Sequence, residues 1–173
     1  MKIYHKNEWV FVNANDARLK DCNIFIGRDT VIGQDVRIEQ GAVIEQDAWI
    51  EQDAWIGQDA IIKQDVVIEQ NAVIGQDARI EQDAVIERDA WIERGAVIGQ
   101  GAVIGRDTVI GQDVRIEQGA VIGQDAVIGP GAVIGQSARI GRGARIGQDA
   151  RIEQDTRIER DAVIKQDVVI EFI

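Results

Sequence analysis

Residues 98–103 read Ile-Gly-Gln-Gly-Ala-Val, and this six-residue pattern repeats along most of the chain. An isoleucine occurs every six residues from Ile26 to Ile170, giving 25 isoleucines in unbroken register. Two residues before each isoleucine from Ile32 onward stands a small residue, which is Ala at 17 of 24 positions and Val or Thr at the rest. Because residues two apart point to the same side of a strand, the pairing predicts short strands with an apolar inner side.

The other half of each repeat predicts a corner. Three residues after isoleucine the sequence has 16 Asp, 6 Gly, one Asn and one Ser, residue types that tolerate a left-handed backbone or close a turn with their own side chain. A helix is excluded because a period of six does not match 3.6 residues per turn, so the isoleucines would spiral around it. Each hexapeptide is therefore predicted to form one short strand and one corner.

The repeat Ile-[Gly/Glu]-x-x-[Ala/Val/Thr]-x resembles that of the hexapeptide-repeat superfamily, which includes γ-class carbonic anhydrases and hexapeptide acyltransferases. The resemblance covers residues 24 to 171. It implies an all-β fold, a left-handed parallel β-helix whose triangular coils each contain three hexapeptides, or 18 residues, with about eight coils in all. The left hand follows from the resemblance, since spacing alone does not give it.

The first residues break the repeat and predict a separate cap. Residues 2–5 and 8–12 flank Lys6-Asn7 and favour a β-hairpin over one end of the prism. We therefore expect an N-terminal cap over residues 1–23 and a β-helix over residues 24–173. Cys22, the single cysteine, is expected to be a buried residue of the cap.

Composition limits the partners. The net charge of −11 disfavours nucleic acids and anionic membranes, and no apolar run is long enough for a spanning helix. We expect a soluble, cytoplasmic protein. We identify no small-molecule substrate and expect no cofactor and no metal site, although stacked corner aspartates such as Asp29 and Asp47 leave calcium binding open.

The resemblance implies a histidine base in the acyltransferases and three metal-binding histidines in the carbonic anhydrases. This chain has one histidine, His5, in the predicted cap, and no active-site loop interrupts its hexapeptides. We therefore predict no catalytic residues and no enzymatic activity, and interpret the chain as an idealised or designed structural scaffold. Two alternatives stay open: an assembly protein that interacts through its flat faces, and an acyltransferase that binds an acyl carrier between subunits.

The outward residues predict a self-association surface. Between each small residue and its isoleucine lies an outward position, and on two adjacent faces these positions are apolar over several coils. The family resemblance suggests a trimer packed side by side. The predicted surface consists of Trp49, Trp55, Val67, Val73, Val85, Trp91, Val103 and Val109.

Overall fold

The computed structural model describes residues 1–5, 8–13 and 16–171. One helix, α1, spans Arg18–Asp21. The first two strands are β1 (Lys2–His5) and β2 (Glu8–Phe11). Strands β3 to β27 have two residues each and are, in order, Phe25–Ile26, Val31–Ile32, Arg37–Ile38, Val43–Ile44, Trp49–Ile50, Trp55–Ile56, Ile61–Ile62, Val67–Ile68, Val73–Ile74, Arg79–Ile80, Val85–Ile86, Trp91–Ile92, Val97–Ile98, Val103–Ile104, Val109–Ile110, Arg115–Ile116, Val121–Ile122, Val127–Ile128, Val133–Ile134, Arg139–Ile140, Arg145–Ile146, Arg151–Ile152, Arg157–Ile158, Val163–Ile164 and Val169–Ile170.

The repeat strands form three parallel sheets, because each strand pairs with the strand three further along the chain. In the sheet that starts at β3, for example, Arg79 pairs with Val97 and Val97 with Arg115. That register places residues 18 apart next to each other, so three hexapeptides complete one coil. The sheets have nine strands (β3 to β27), eight strands (β4 to β25) and ten strands, the last including β1 and β2. The predicted left-handed parallel β-helix of about eight coils is confirmed.

The core is the inside of this prism. Every isoleucine from Ile38 to Ile158 is buried, as are the small residues two positions before them. Thr108 also points inward, and its hydroxyl donates a hydrogen bond to the carbonyl of Gly123. Burying each isoleucine contributes about 1.5–3 kcal/mol, so the stacked columns supply most of the driving force for folding.

The corners have the left-handed backbone that their composition predicts. All the Asp, Gly, Asn and Ser residues at the corner position have a positive φ, between 55° and 77°. The corner N–H donates to a carbonyl of the preceding coil, as in Gly101 to Gln82 at 3.0 Å. A second bond, from the Ala102 N–H to the Gly99 carbonyl at 3.1 Å, closes the turn itself. The corner residue thus joins successive coils as well as reversing the chain.

The N-terminal segment covers one end of the ten-stranded sheet. Strand β1 pairs antiparallel with β2 and parallel with β5, and Ile3 lies opposite Ile38 in the core. Lys2 forms an ion pair with Asp35 at 2.9 Å, which lowers the pKa of that carboxyl group. The predicted turn at residues 6–7 lies outside the described residues. Within the described part of the chain, no helix is long and apolar enough to cross a membrane.

Replacing Ile98 with Asp should lower the free energy of unfolding by about 3–5 kcal/mol, because the carboxyl group would enter a fully buried apolar column. Replacing its outward neighbour Val97 with Asp should cost about 1 kcal/mol or less, because that side chain is partly exposed. Denaturant melts of the two variants measure the difference. Equal losses would contradict the inward and outward assignment.

Replacing Asp77 with Ile should lower the free energy of unfolding by about 1–2 kcal/mol, since a β-branched side chain is strained at φ 58°. Asp77→Gly should leave stability nearly unchanged, because glycine adopts this conformation without strain. Thermal melts of both variants give the comparison. A glycine variant as unstable as the isoleucine variant would show that the aspartate side chain, and not the backbone, determines the corner.

Candidate functional site

An apolar groove lies on the outer surface of the ten-stranded sheet. Its walls are Trp55 and Trp91, and the smaller Val73 lies between them in direct register, one coil from each. The groove has a volume of about 670 Å³, and Gly57 and Gly75 lie along its edge. A valine between two indoles leaves a slot about 10 Å long, because successive strands lie about 4.8 Å apart.

Trp55 is a fixed wall of the groove. Its indole Nε1 donates a hydrogen bond to Glu39 Oε1 at 3.0 Å, and the Arg37 guanidinium lies 5.5 Å from the ring centroid. The other oxygen of Glu39 accepts a hydrogen bond from the backbone N–H of Gln58 at 3.0 Å. The carboxylate is therefore fully used in orienting the indole and the adjacent corner, which makes it a poor proton acceptor for catalysis.

Trp91 is the exposed wall. Relative to Trp91, the positions that correspond to Arg37 and Glu39 are occupied by Val73 and Gly75, which provide neither a cation nor a carboxylate. The Trp91 side chain is 55% exposed. The groove therefore combines one fixed aromatic wall with one accessible wall. Glu93 and Arg94 add one charge of each sign at the rim.

The predicted self-association residues divide between two faces. Trp55, Val73, Trp91 and Val109 lie on the ten-stranded sheet and line or continue the groove. The other four predicted residues lie on the outer surface of the eight-stranded sheet, and these are Trp49, Val67, Val85 and Val103. The structure thus separates the predicted surface into two parts that meet at a corner, and whether either part associates stays a prediction.

Sequence reasoning missed the charged residues of the groove. Glu39 precedes Trp55 by 16 residues, an offset that places the carboxylate in the preceding coil just past the strand. Arg37 precedes Trp55 by 18 residues and lies directly beside it in the sheet. Once the 18-residue period is known, these offsets identify both partners, so the signal was present in the sequence.

Other candidate groups have structural roles. Cys22 is buried, and burial together with the nearby Asp21 charge raises the pKa of its thiol, which suppresses its reactivity at neutral pH. Amides of corner glutamines donate to aspartates, as in Gln64 Nε2 to Asp65 Oδ2 at 2.9 Å. Among the described residues, no group of three His, Cys, Asp or Glu side chains is placed to hold a metal ion.

His5 belongs to β1, at the edge of the same ten-stranded sheet. In the hairpin its backbone is paired with that of Glu8. It follows Ile3 by two residues, and the register partner of Ile3 is Ile38, which immediately precedes Glu39 of the groove. The chain's one histidine therefore lies on the strand next to the end of the groove.

Two family models match the chain. One, described as the GMPPB C-terminal domain, covers residues 44–129, and the other, described as the bacterial transferase hexapeptide of six repeats, covers residues 119–154. No curated protein sequence matches. Both matched segments lie within the coils, where the hexapeptide repeat is unbroken.

Similar solved structures are acyltransferases. LpxA from Acinetobacter baumannii aligns with a TM-score of 0.68 at 16% identity, over 81% of this chain and 65% of that one. The UDP-N-acetylglucosamine acyltransferase of Francisella novicida aligns at 0.58 and 20%, over 79% and 54%. The Arabidopsis UDP-N-acetylglucosamine acyltransferase aligns at 0.53 and 16%, over 85% and 55%. The chain thus spans between 54% and 65% of the length of these proteins.

This comparison contradicts two predictions made from the sequence, that the chain is a structural scaffold without catalytic activity and that it is not an enzyme. The solved prisms that it resembles belong to acyltransferases, so a regular prism is no argument against catalysis. A rigid prism supports groups that bind and react on its surface, and the chemistry depends on those groups more than on the fold. The repeat, the three-sheet prism and these matches identify the chain as a member of the hexapeptide-repeat superfamily of left-handed parallel β-helices.

Proposed function

We propose that this chain is a hexapeptide-type acyltransferase that moves an acyl group from a thioester donor to a hydroxyl or amino group of a nucleotide sugar. The observation that carries the proposal is the apolar groove between Trp55 and Trp91, on a prism similar to those of UDP-N-acetylglucosamine acyltransferases. An acyl thioester is an extended, largely apolar group with a polar end. The groove offers it two indole faces and a valine floor.

The charges at the rim support the same assignment. Acyl donors carry phosphate groups at the far end of their flexible arm, and nucleotide sugars carry a diphosphate. Arg94 lies at the rim of the groove and Arg37 stacks on Trp55 at its N-terminal end. Guanidinium groups bind phosphate oxygens with paired hydrogen bonds, so either arginine would orient a bound phosphate.

The proposed reaction needs a base. The acceptor oxygen or nitrogen attacks the thioester carbonyl, a new C–O or C–N bond forms, the C–S bond breaks, and the thiol leaves with a proton. A base that removes the acceptor's proton accelerates this step. We assign this role to His5, because its strand borders the N-terminal end of the groove and imidazole titrates near neutral pH.

The direct test incubates the chain with acyl-coenzyme A or acylated carrier protein, from acetyl to myristoyl, together with UDP-N-acetylglucosamine. Mass spectrometry of the sugar nucleotide detects the added acyl group. The proposal expects transfer above a control that lacks protein. An absence of transfer from every donor, with the chain folded by circular dichroism, would overturn it.

Replacing Trp91 with Ala should raise the KM for the acyl donor about tenfold and change kcat little, because it removes one apolar wall that contacts the donor. The matched control is Phe25→Ala, which removes an aromatic residue of similar exposure from the nine-stranded sheet. Steady-state kinetics of the two variants make the comparison. An equal effect of both changes would move the donor site away from the groove.

Replacing His5 with Gln should lower kcat about a hundredfold and leave the KM for the donor nearly unchanged, because the change removes a base without altering the groove. The free energy of unfolding of the variant, measured in parallel, separates loss of the base from loss of the hairpin. A stable variant with unchanged kcat would exclude His5 as the base.

A further inference from the structure

The outer surface of the eight-stranded sheet changes character along the prism. From the N-terminal end its outward residues begin with Val31 and Trp49, continue through four valines, and end with two arginines. Trp49 is 52% exposed, and Arg139 and Arg157 are exposed in adjacent strands of the ladder. In ladder order the outward residues are Val31, Trp49, Val67, Val85, Val103, Val121, Arg139 and Arg157.

We propose that this face binds a second copy of the same chain, with the two prisms antiparallel around a two-fold axis that runs along the strands between Val85 and Val103. This inference does not depend on acyl transfer, since the groove lies on a different sheet. It refines the predicted self-association surface to the residues of one face and adds the arginines beyond it.

The order of residues on the ladder fits this axis. An antiparallel two-fold arrangement places Val85 opposite Val103 and Val67 opposite Val121, which buries a central apolar strip in both copies. The same symmetry places each Trp49 opposite an Arg139 of the other copy. A guanidinium over an exposed indole gives a favourable cation–π contact, made twice in a two-fold dimer.

The corners show the same complementarity. A two-fold axis along the strands keeps the corner after β7 on the same edge as the corner after β22 of the other copy. The first corner is acidic, with Glu51 and Asp53, whereas the second contains Arg142 between two glycines. Opposite charges therefore meet at the rim of the interface, where they favour this orientation over others.

Parallel packing of the same face lacks these contacts. With the two prisms parallel, each coil meets the same coil of its neighbour, so Arg139 faces Arg139 and Arg157 faces Arg157. Like charges in contact oppose association. For this reason we assign the antiparallel dimer in place of the side-by-side trimer that the family resemblance suggested.

The area of the face is sufficient for a reversible dimer. Eight strands about 4.8 Å apart span about 34 Å, and a width of roughly 18 Å gives about 600 Å² per chain. Specific interfaces bury about 800 Å² per partner, and weak ones bury less. Association is therefore expected in the micromolar range, within reach of sedimentation at about 100 micromolar.

The test combines sedimentation with site-specific cross-linking in a Cys22→Ala background. A mixture of Val67→Cys and Val121→Cys chains should yield a covalent dimer with a short bismaleimide, while either variant alone should not. The matched control is a mixture of Val73→Cys and Val127→Cys, which lie on the ten-stranded sheet in the same relation and should not cross-link. The parent chain should sediment as a dimer.

A second variant tests the charge argument. Trp49→Arg places arginine opposite Arg139 and should weaken dimerisation at least tenfold, whereas Phe25→Arg on the nine-stranded sheet should have no effect. Three results would each overturn the proposal: a monomeric parent at about 100 micromolar, cross-linking of Val67→Cys alone, which indicates parallel packing, or unchanged dimerisation of Trp49→Arg.

Discussion

The constraint on which the rest of the structure depends is the hydrogen-bonded register of 18 residues between successive coils. The Val97 N–H donates to the carbonyl of Val114 at 2.9 Å, and the Gly99 N–H donates to that of Ile116 at 2.7 Å. The same two bonds recur along all three sheets. A shift of one residue would turn the isoleucines outward, so the register and the apolar core require each other. This coupling explains why no hexapeptide between Ile26 and Ile170 gains or loses a residue.

The register also determines which outward residues meet. Residues 18 apart lie side by side, so the groove forms where Trp55, Val73 and Trp91 follow one another on a sheet. The offset of 16 brings Glu39 to the indole N–H of Trp55. The outer surface can therefore vary from coil to coil without cost to the core. On our proposal one face holds the acyl donor and a second face holds another copy of the chain.

Most of the fold could be predicted from the sequence because each hexapeptide position has one structural role. The inward position of Ile98, the positive φ of Asp77 and the exposure of Trp49 all follow from the repeat. The groove's polar contacts were missed, because Arg37 and Glu39 occupy positions where the repeat tolerates many residue types. The prediction that the chain is not an enzyme was wrong for a related reason. It took the absence of histidine from the coils as decisive, whereas the fold allows a reactive group to come from the cap beside a sheet.

Residue-resolved amide hydrogen exchange tests the register most directly. The account predicts the slowest exchange at outward N–H groups of the central coils, such as Val85 and Val97, which donate to the next coil. Corner N–H groups such as that of Gly101 should also be protected, because they donate to the preceding coil. Exchange should become faster toward β27 and the N-terminal hairpin. Rapid exchange in the middle of the prism, with protection only at its ends, would contradict a continuous 18-residue ladder.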